Sequence, residues 1–234
     1  MKIGGLQKIT LIDYPGRLAA IIFLSGCNFR CPFCYSAELV LPEKIQNHPR
    51  IPEKEVFDFL SERRGLLEGV VLCGGEPTIY RELPSFIKKI KKLGYLVKLD
   101  TNGSNPQALE RLIKNRLIDY VAMDIKAPKE RYSAVVGDQA GFGLAEAIEQ
   151  SIDILKKGEV EYEFRSTIVP AIHKREDVIA MAKWIRGAKK YYLQNFRAEK
   201  TINPDFEKEK SYPKEWFLDV QKAIAPFFEV CQVR

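Results

Sequence analysis

From Leu18 to its end the chain alternates short apolar runs with longer amphipathic segments, and that rhythm leaves few folds open to it. Apolar runs at 18–24, 69–75 ("GVVLCGG"), 95–99, 119–125, 160–168, 191–193 and 228–233 have the length and character of strands. Between them, segments 52–67, 82–93, 106–115, 144–157, 175–186 and 214–225 carry helical spacing, with Pro52 near the start of the first, where a helix tolerates proline. Repeated strand–helix units call for an α/β fold in which parallel strands share one sheet and helices pack outside it. With 234 residues, 46% of them hydrophobic, the chain can bury such a core, and a single domain over 1–234 is expected.

The unusual residues fall at one recurring place in this cycle. After the first of these strands come Cys27, Cys31 and Cys34; after the second, Gly74, Gly75, Glu76 and Pro77; after the third, Asp100, Thr101, Asn102 and Gly103; after the fourth, Asp124, Lys126 and Pro128. The fifth carries Arg165 and Thr167 near its end, and the sixth ends in Gln194-Asn195. In a parallel α/β sheet the carboxyl ends of the strands share one face, where active sites assemble. A polar residue after a strand is usually turn chemistry or a helix cap. Six such stretches converging on one face point instead to a site.

The cysteine spacing C-x3-C-x2-C within "GCNFRCPFC" is too compact for three side chains on one regular element, so a loop must wrap whatever they bind, with Gly26 and Pro32 helping it bend. Structural zinc takes four protein ligands, and no fourth lies nearby: the histidines are His48 and His173, and Cys73 is the other cysteine within plausible reach. An iron-sulfur cubane on three cysteines leaves one iron open to a substrate. Cys73 ends a strand just before two glycines, which suits a small apolar filler better than a fourth ligand.

With the aromatic Phe33 just before the last cysteine and "GGEP" one strand later, the pattern resembles the radical S-adenosylmethionine (SAM) superfamily. Within it, "TLIDYPG", "GCNFRCPFC", "CGGEPT", "DTNG", "MDIKAP" and "QNF" resemble the activating proteins of glycyl-radical enzymes, most closely those of the anaerobic ribonucleotide reductase. The resemblance runs from Leu6 to about Phe206. It implies a partial (β/α)6 barrel of the TIM type, a [4Fe-4S] cluster on Cys27, Cys31 and Cys34, and SAM bound to the open iron and cleaved reductively. It also implies a glycyl-radical enzyme as protein partner and an electron donor such as flavodoxin or ferredoxin. In that scheme Gly74 and Gly75 let backbone approach the ligand, Glu76 and Asp100 accept from its ammonium, and Asp124 and Lys126 contact ribose hydroxyls or carboxylate. Phe33 and Tyr35 offer an adenine face, and Asn102, Arg165 and Gln194 complete the set. The acids after the third and fourth strands of the resembling activases can also hold a monovalent cation, here Asp100, Thr101 and Asp124.

Two departures bear on the partner. Tyr35-Ser36 stands where reductase-activating relatives often have His-Asn, and a cysteine precedes the glycines of "CGGE" where a small polar residue is commoner. No cysteine lies between Tyr35 and Gly69, so one cluster is expected, without an auxiliary insert. A superfamily member acting on a small molecule in deazapurine-type biosynthesis, and a non-catalytic zinc module, are the competing readings. The longest early apolar run, 18–24, is too short to span a bilayer and the start lacks a secretion signal's core, so a cytoplasmic protein off the membrane is expected, with thiols kept reduced. The net charge of +6 is spread over lysines beside glutamates, which reads as solvated surface rather than a nucleic-acid face.

Overall fold

A computed structural model describes residues 1–137 and 143–234. Eight strands form one sheet in chain order: β1 (Ile3–Thr10), β2 (Ala19–Leu24), β3 (Gly69–Gly74), β4 (Leu96–Thr101), β5 (Tyr120–Asp124), β6 (Glu161–Ile168), β7 (Lys190–Asn195) and β8 (Val230–Val233). From β2 to β8 each neighbouring pair is parallel, whereas β1 runs antiparallel to β2. β1 and β8 end the order without pairing to each other, so the sheet is a partial barrel with an open side. The helices are α1 (Ala37–Val40), α2 (Pro42–Asn47), α3 (Glu53–Glu62), α4 (Leu83–Lys92), α5 (Pro106–Lys114), α6 (Tyr132–Val136), α7 (Leu144–Lys156), α8 (Arg175–Trp184) and α9 (Lys214–Ile224).

Several boundaries differ from the sequence expectation, for identifiable reasons. The helix expected over 52–67 stops at Glu62, and Gly65 then turns the chain at φ +77°. The strand expected to end at Leu99 continues through Thr101, so Asp100 and Thr101 sit on β4 rather than in a loop. β1 was not expected; its two glycines break the apolar pattern. They are needed there: a Cβ on Gly4 would lie 2.4 Å from Leu39 Cδ2. α1, α2 and α6 are short turns of helix that carry too few residues to show periodicity.

Alternation along the strands builds two unlike faces. Leu72, Leu99, Val121, Phe164 and Leu193 point outward into the main core, where they meet Leu60, Ile87, Leu112 and Ile152 of the helices. Inside, Tyr14, Ala19, Ile21, Val71 and Tyr120 make a smaller cluster at the amino end of the strands. Tyr14 enters it from the loop after β1, its ring 6.1 Å from that of Tyr120, and a Cβ on Gly69 would lie 2.7 Å from the Tyr14 ring. Above this floor the interior turns polar, which opens space at the carboxyl ends. The surface lysines find acids, as in Lys89–Glu53 and Lys190–Glu161. Among the described residues no helix is long and apolar enough to cross a membrane.

Candidate active site

A cavity of about 430 Å³ opens at the carboxyl ends of the strands. Every residue given a cluster or ligand role from the sequence lines it, except Gln194; Pro77, Gly103, Pro128 and Asn195 of the same strand-end stretches do not. Gln194 sits on β7 in register with Thr167, which does line the cavity.

The cysteine loop leaves β2 through Gly26 at φ +101°. It is held by its own backbone and by distant parts of the chain. Arg30 NH1 donates to the Cys27 and Phe29 carbonyls, both at 2.7 Å, and the Cys34 N–H closes a turn onto the Cys31 carbonyl at 3.1 Å. From the far side, Ile202 N–H donates to the Cys34 carbonyl at 3.0 Å and Asn203 N–H to the Pro32 carbonyl at 2.9 Å. The thiols are desolvated: burial pushes Cys27 up to about 11, Cys31 up to about 12, and Cys34 upward as well. Lys126 is the positive charge that opposes this at all three. Bare, these sulfurs stay protonated; a bound metal reverses that, because a coordinating thiol is deprotonated.

The donor set distinguishes a cluster from a single zinc ion. Structural zinc takes four protein ligands, and the cysteine loop supplies three. Neither histidine is free to help. His48 Nε2 is 2.7 Å from the Gly4 carbonyl. His173 is fully buried, accepting from the Val169 N–H at 3.0 Å through Nδ1 with Nε2 2.9 Å from the Lys126 carbonyl. Three thiols around a cavity, with the Phe29 N–H donating to Cys27 Sγ at 3.3 Å, fit a [4Fe-4S] cluster with one open iron.

Glu76 ties the loop after β3 to the end of β4. Only 1% exposed, it accepts at Oε1 from Thr78 N–H (3.0 Å), Thr78 Oγ1 (2.6 Å) and Thr101 Oγ1 (2.7 Å), and at Oε2 from Asn102 N–H (2.6 Å). Burial raises its pKa, and those four donors oppose the rise. The sequence placed Thr101 at the ligand, but its hydroxyl is committed to Glu76. Asn102 Nδ2 donates to Asn28 Oδ1 at 3.0 Å, so the same hub reaches the cysteine loop. Gly74 and Gly75 make their close approaches to the chain itself: a Cβ on Gly75 would lie 1.9 Å from the Gly26 carbonyl oxygen, and one on Gly74 2.5 Å from that of Leu24.

A ladder of charges crosses the floor of the cavity. Lys98, 1% exposed, pairs with Asp100 Oδ1; Arg165 donates from NH1 to Asp100 Oδ2 at 3.0 Å and from Nε to Asp124 Oδ1 at 3.1 Å; Lys126 donates to Asp124 Oδ2 at 3.1 Å. Burial alone would raise Asp124, yet Lys126 and Arg165 outweigh it and hold the carboxyl at about 2. Asp100, expected to accept from a ligand ammonium, already has a cationic donor on each oxygen, Lys98 on Oδ1 and Arg165 on Oδ2. Beneath lies a second group the sequence did not reveal, in which Glu163 accepts from Tyr120 OH at 3.0 Å and from Arg234 NH1 at 3.1 Å. At the rim Phe33 is buried edge-on to His173, while Tyr35 stays part-exposed, its ring 5.8 Å from Phe196 and its hydroxyl accepting from the Arg197 N–H at 2.8 Å. Asp13, from the "TLIDYPG" stretch, lines the same cavity.

Residues 21–185 match the model of the radical SAM superfamily. The chain belongs to the radical SAM superfamily. This radical SAM chain is 35% identical over 211 residues, 88% of its length and 84% of the other's, to a Methanocaldococcus jannaschii protein provisionally named as a glycyl-radical enzyme activating enzyme. Over 91 residues, 38% of each chain, it is 33% identical to the 7-carboxy-7-deazaguanine synthase of Aquifex aeolicus. Its fold is similar to that of Streptococcus suis SuiB bound to SAM, with a TM-score of 0.64 and 14% identity over 91% of this chain; it spans 51% of that longer chain. Membership of the radical SAM family brings a [4Fe-4S] cluster and SAM as cofactors and makes the chain an enzyme rather than a zinc module.

Proposed function

We propose that this radical SAM enzyme installs a glycyl radical on a partner protein, and that the partner is a glycyl-radical enzyme of the anaerobic ribonucleotide reductase type. The observation that carries this reading is the 35% identity extending over 88% of the chain to a protein bearing an activating-enzyme name. The likeness to the deazaguanine synthase stops at 38% of the chain.

The chain's own residues take the following parts. Cys27, Cys31 and Cys34 would hold a [4Fe-4S] cluster through three of its irons, which would leave one iron for the ligand. Glu76, already saturated at Oε1, has acceptor capacity at Oε2 for an ammonium group. Lys126 and Arg165 carry positive charge toward a carboxylate or ribose, and the Phe33–Tyr35 segment offers an aromatic wall for a purine. When bound and reduced by an external donor, the cluster would pass one electron to the SAM sulfonium, releasing methionine and a 5′-deoxyadenosyl radical able to take a hydrogen atom from a glycine Cα. The open side between β1 and β8 leaves room for a loop of the partner to reach the cavity.

The test is anaerobic incubation of reconstituted protein, SAM and reductant with an anaerobic ribonucleotide reductase from the same organism. A doublet in the electron paramagnetic resonance spectrum of the partner is the expected result. Turnover of a free pterin-like molecule with no radical on the partner would transfer the reading to small-molecule chemistry.

A further inference from the structure

The side chains that would hold a monovalent cation beside the ligand are already committed within the protein. All four carboxylate oxygens of Asp100 and Asp124 are engaged by cationic side chains: Lys98 and Arg165 on the first, Arg165 and Lys126 on the second. Thr101 donates to Glu76 and accepts from the Gly103 N–H at 3.1 Å. An inorganic cation needs several oxygens directed at one point, and here those oxygens face nitrogen instead.

We propose that Arg165 is the resident cation of this site and that no inorganic cation binds between Asp100 and Asp124. Arg165 lies opposite Asp124 in the β5–β6 register, and its side chain reaches across β5 to Asp100 on β4. A planar guanidinium with donors along two edges can bridge two carboxylates that face each other from adjacent strands; a lysine ammonium has no such fork. The charges within the ladder agree. Lys98, Arg165 and Lys126 against Asp100 and Asp124 leave neither carboxylate without a cationic neighbour. Among the described residues the NH2 nitrogen of Arg165 has no hydrogen-bond partner, while the residue lines the cavity.

This inference rests on SAM binding in the cavity and not on the identity of the partner protein, so a failed radical-transfer assay leaves it standing. The experiment measures SAM binding to the reconstituted protein by equilibrium dialysis in potassium, sodium or choline chloride at matched ionic strength. A coupled cation site would tighten binding by about 5-fold or more in one of the alkali salts. The wild type should show the same affinity in all three, and a 5-fold dependence would overturn the proposal. Arg165→Gln, verified as folded by circular dichroism, leaves two carboxylates without the bridging charge and should acquire a dependence of about that size; indifference to the cation in this variant also counts against the idea. Should the variant fail to fold, crystals of the wild type grown in rubidium chloride decide alone. No anomalous scattering peak should appear between Asp100 and Asp124, and a peak there refutes the assignment.

Discussion

Replacing Thr101 by valine tests whether this residue serves the ligand or Glu76. Valine preserves the shape and β-branching of a side chain on β4 that is 4% exposed, so the change is confined to the hydroxyl. Two bonds go with it: the donation to Glu76 Oε1 at 2.7 Å and the acceptance from Gly103 N–H at 3.1 Å. A bond to a charged acceptor contributes about 1.5–3 kcal/mol, and a buried N–H left unpaired costs about 1–3 kcal/mol. The expected loss is therefore about 3 kcal/mol, or roughly 9 °C in Tm for a chain of this size. Thermal and urea unfolding of the iron-loaded protein, with an unchanged urea slope, would report it. Thr101→Ser keeps the hydroxyl and should lose only about 1 kcal/mol. A valine variant as stable as wild type but with impaired SAM binding would refute the reasoning and return Thr101 to the ligand.

Three further outcomes follow from the site. Gly75→Ala forces a Cβ against the Gly26 carbonyl oxygen, 1.9 Å away in the unrelaxed geometry, so the cysteine loop should shift and iron content should fall well below wild type in a colorimetric assay. Cys73→Ala should retain about four irons per chain, because this half-buried thiol packs with Phe23 and Leu96 beside the inner cluster, whereas Cys31→Ala should lose them; equal loss in both would make Cys73 a ligand. Burial holds the pKa of His173 below its ordinary value, so at acid pH the unfolded chain binds more protons than the native one. Stability should therefore be full above about pH 6.5 and decline as the pH falls below it, by at most about 1.4 kcal/mol per unit. The urea midpoint of His173→Gln should decline less over the same range, and an identical decline would assign the effect elsewhere.

The βα rhythm was legible because parallel strands covered on both faces must be apolar along much of their length, and Val70 to Leu72 or Val121 to Met123 could be little else. The cysteines and the residues after each strand were legible because strand ends share a face. Lys98 and Glu163 were not. A lysine or glutamate inside a strand ordinarily faces water, yet each is 1% exposed here. A signal was present in the pairs Lys98-x-Asp100 and Glu163-x-Arg165, where charges recur with a period of two on strands whose alternate residues are apolar. Such a pattern marks a barrel whose interior is lined with ion pairs. β1 escaped because its glycines answer to tertiary packing against Leu39 and Phe23, which no local pattern encodes. Gln194 was drawn in by its place at a strand end, but the neighbouring Asn195 shows how local that inference is: its amide donates to the Tyr212 carbonyl at 2.9 Å while its Oδ1 is buried without a partner.

The two backbone bonds from Ile202 and Asn203 to the cysteine loop set an order of events during synthesis. Because each strand pairs with the next in the chain, the sheet can grow outward as the polypeptide leaves the ribosome, with β2 and the three cysteines after it emerging before β3 to β8. The Pro32 and Cys34 carbonyls have no such partners until residue 203 has been made. Until then the three-thiol loop lacks the two bonds that the segment after β7 brings when it folds back over it. A cluster delivered early would meet a pliable ligand set, and one delivered late a preformed cage.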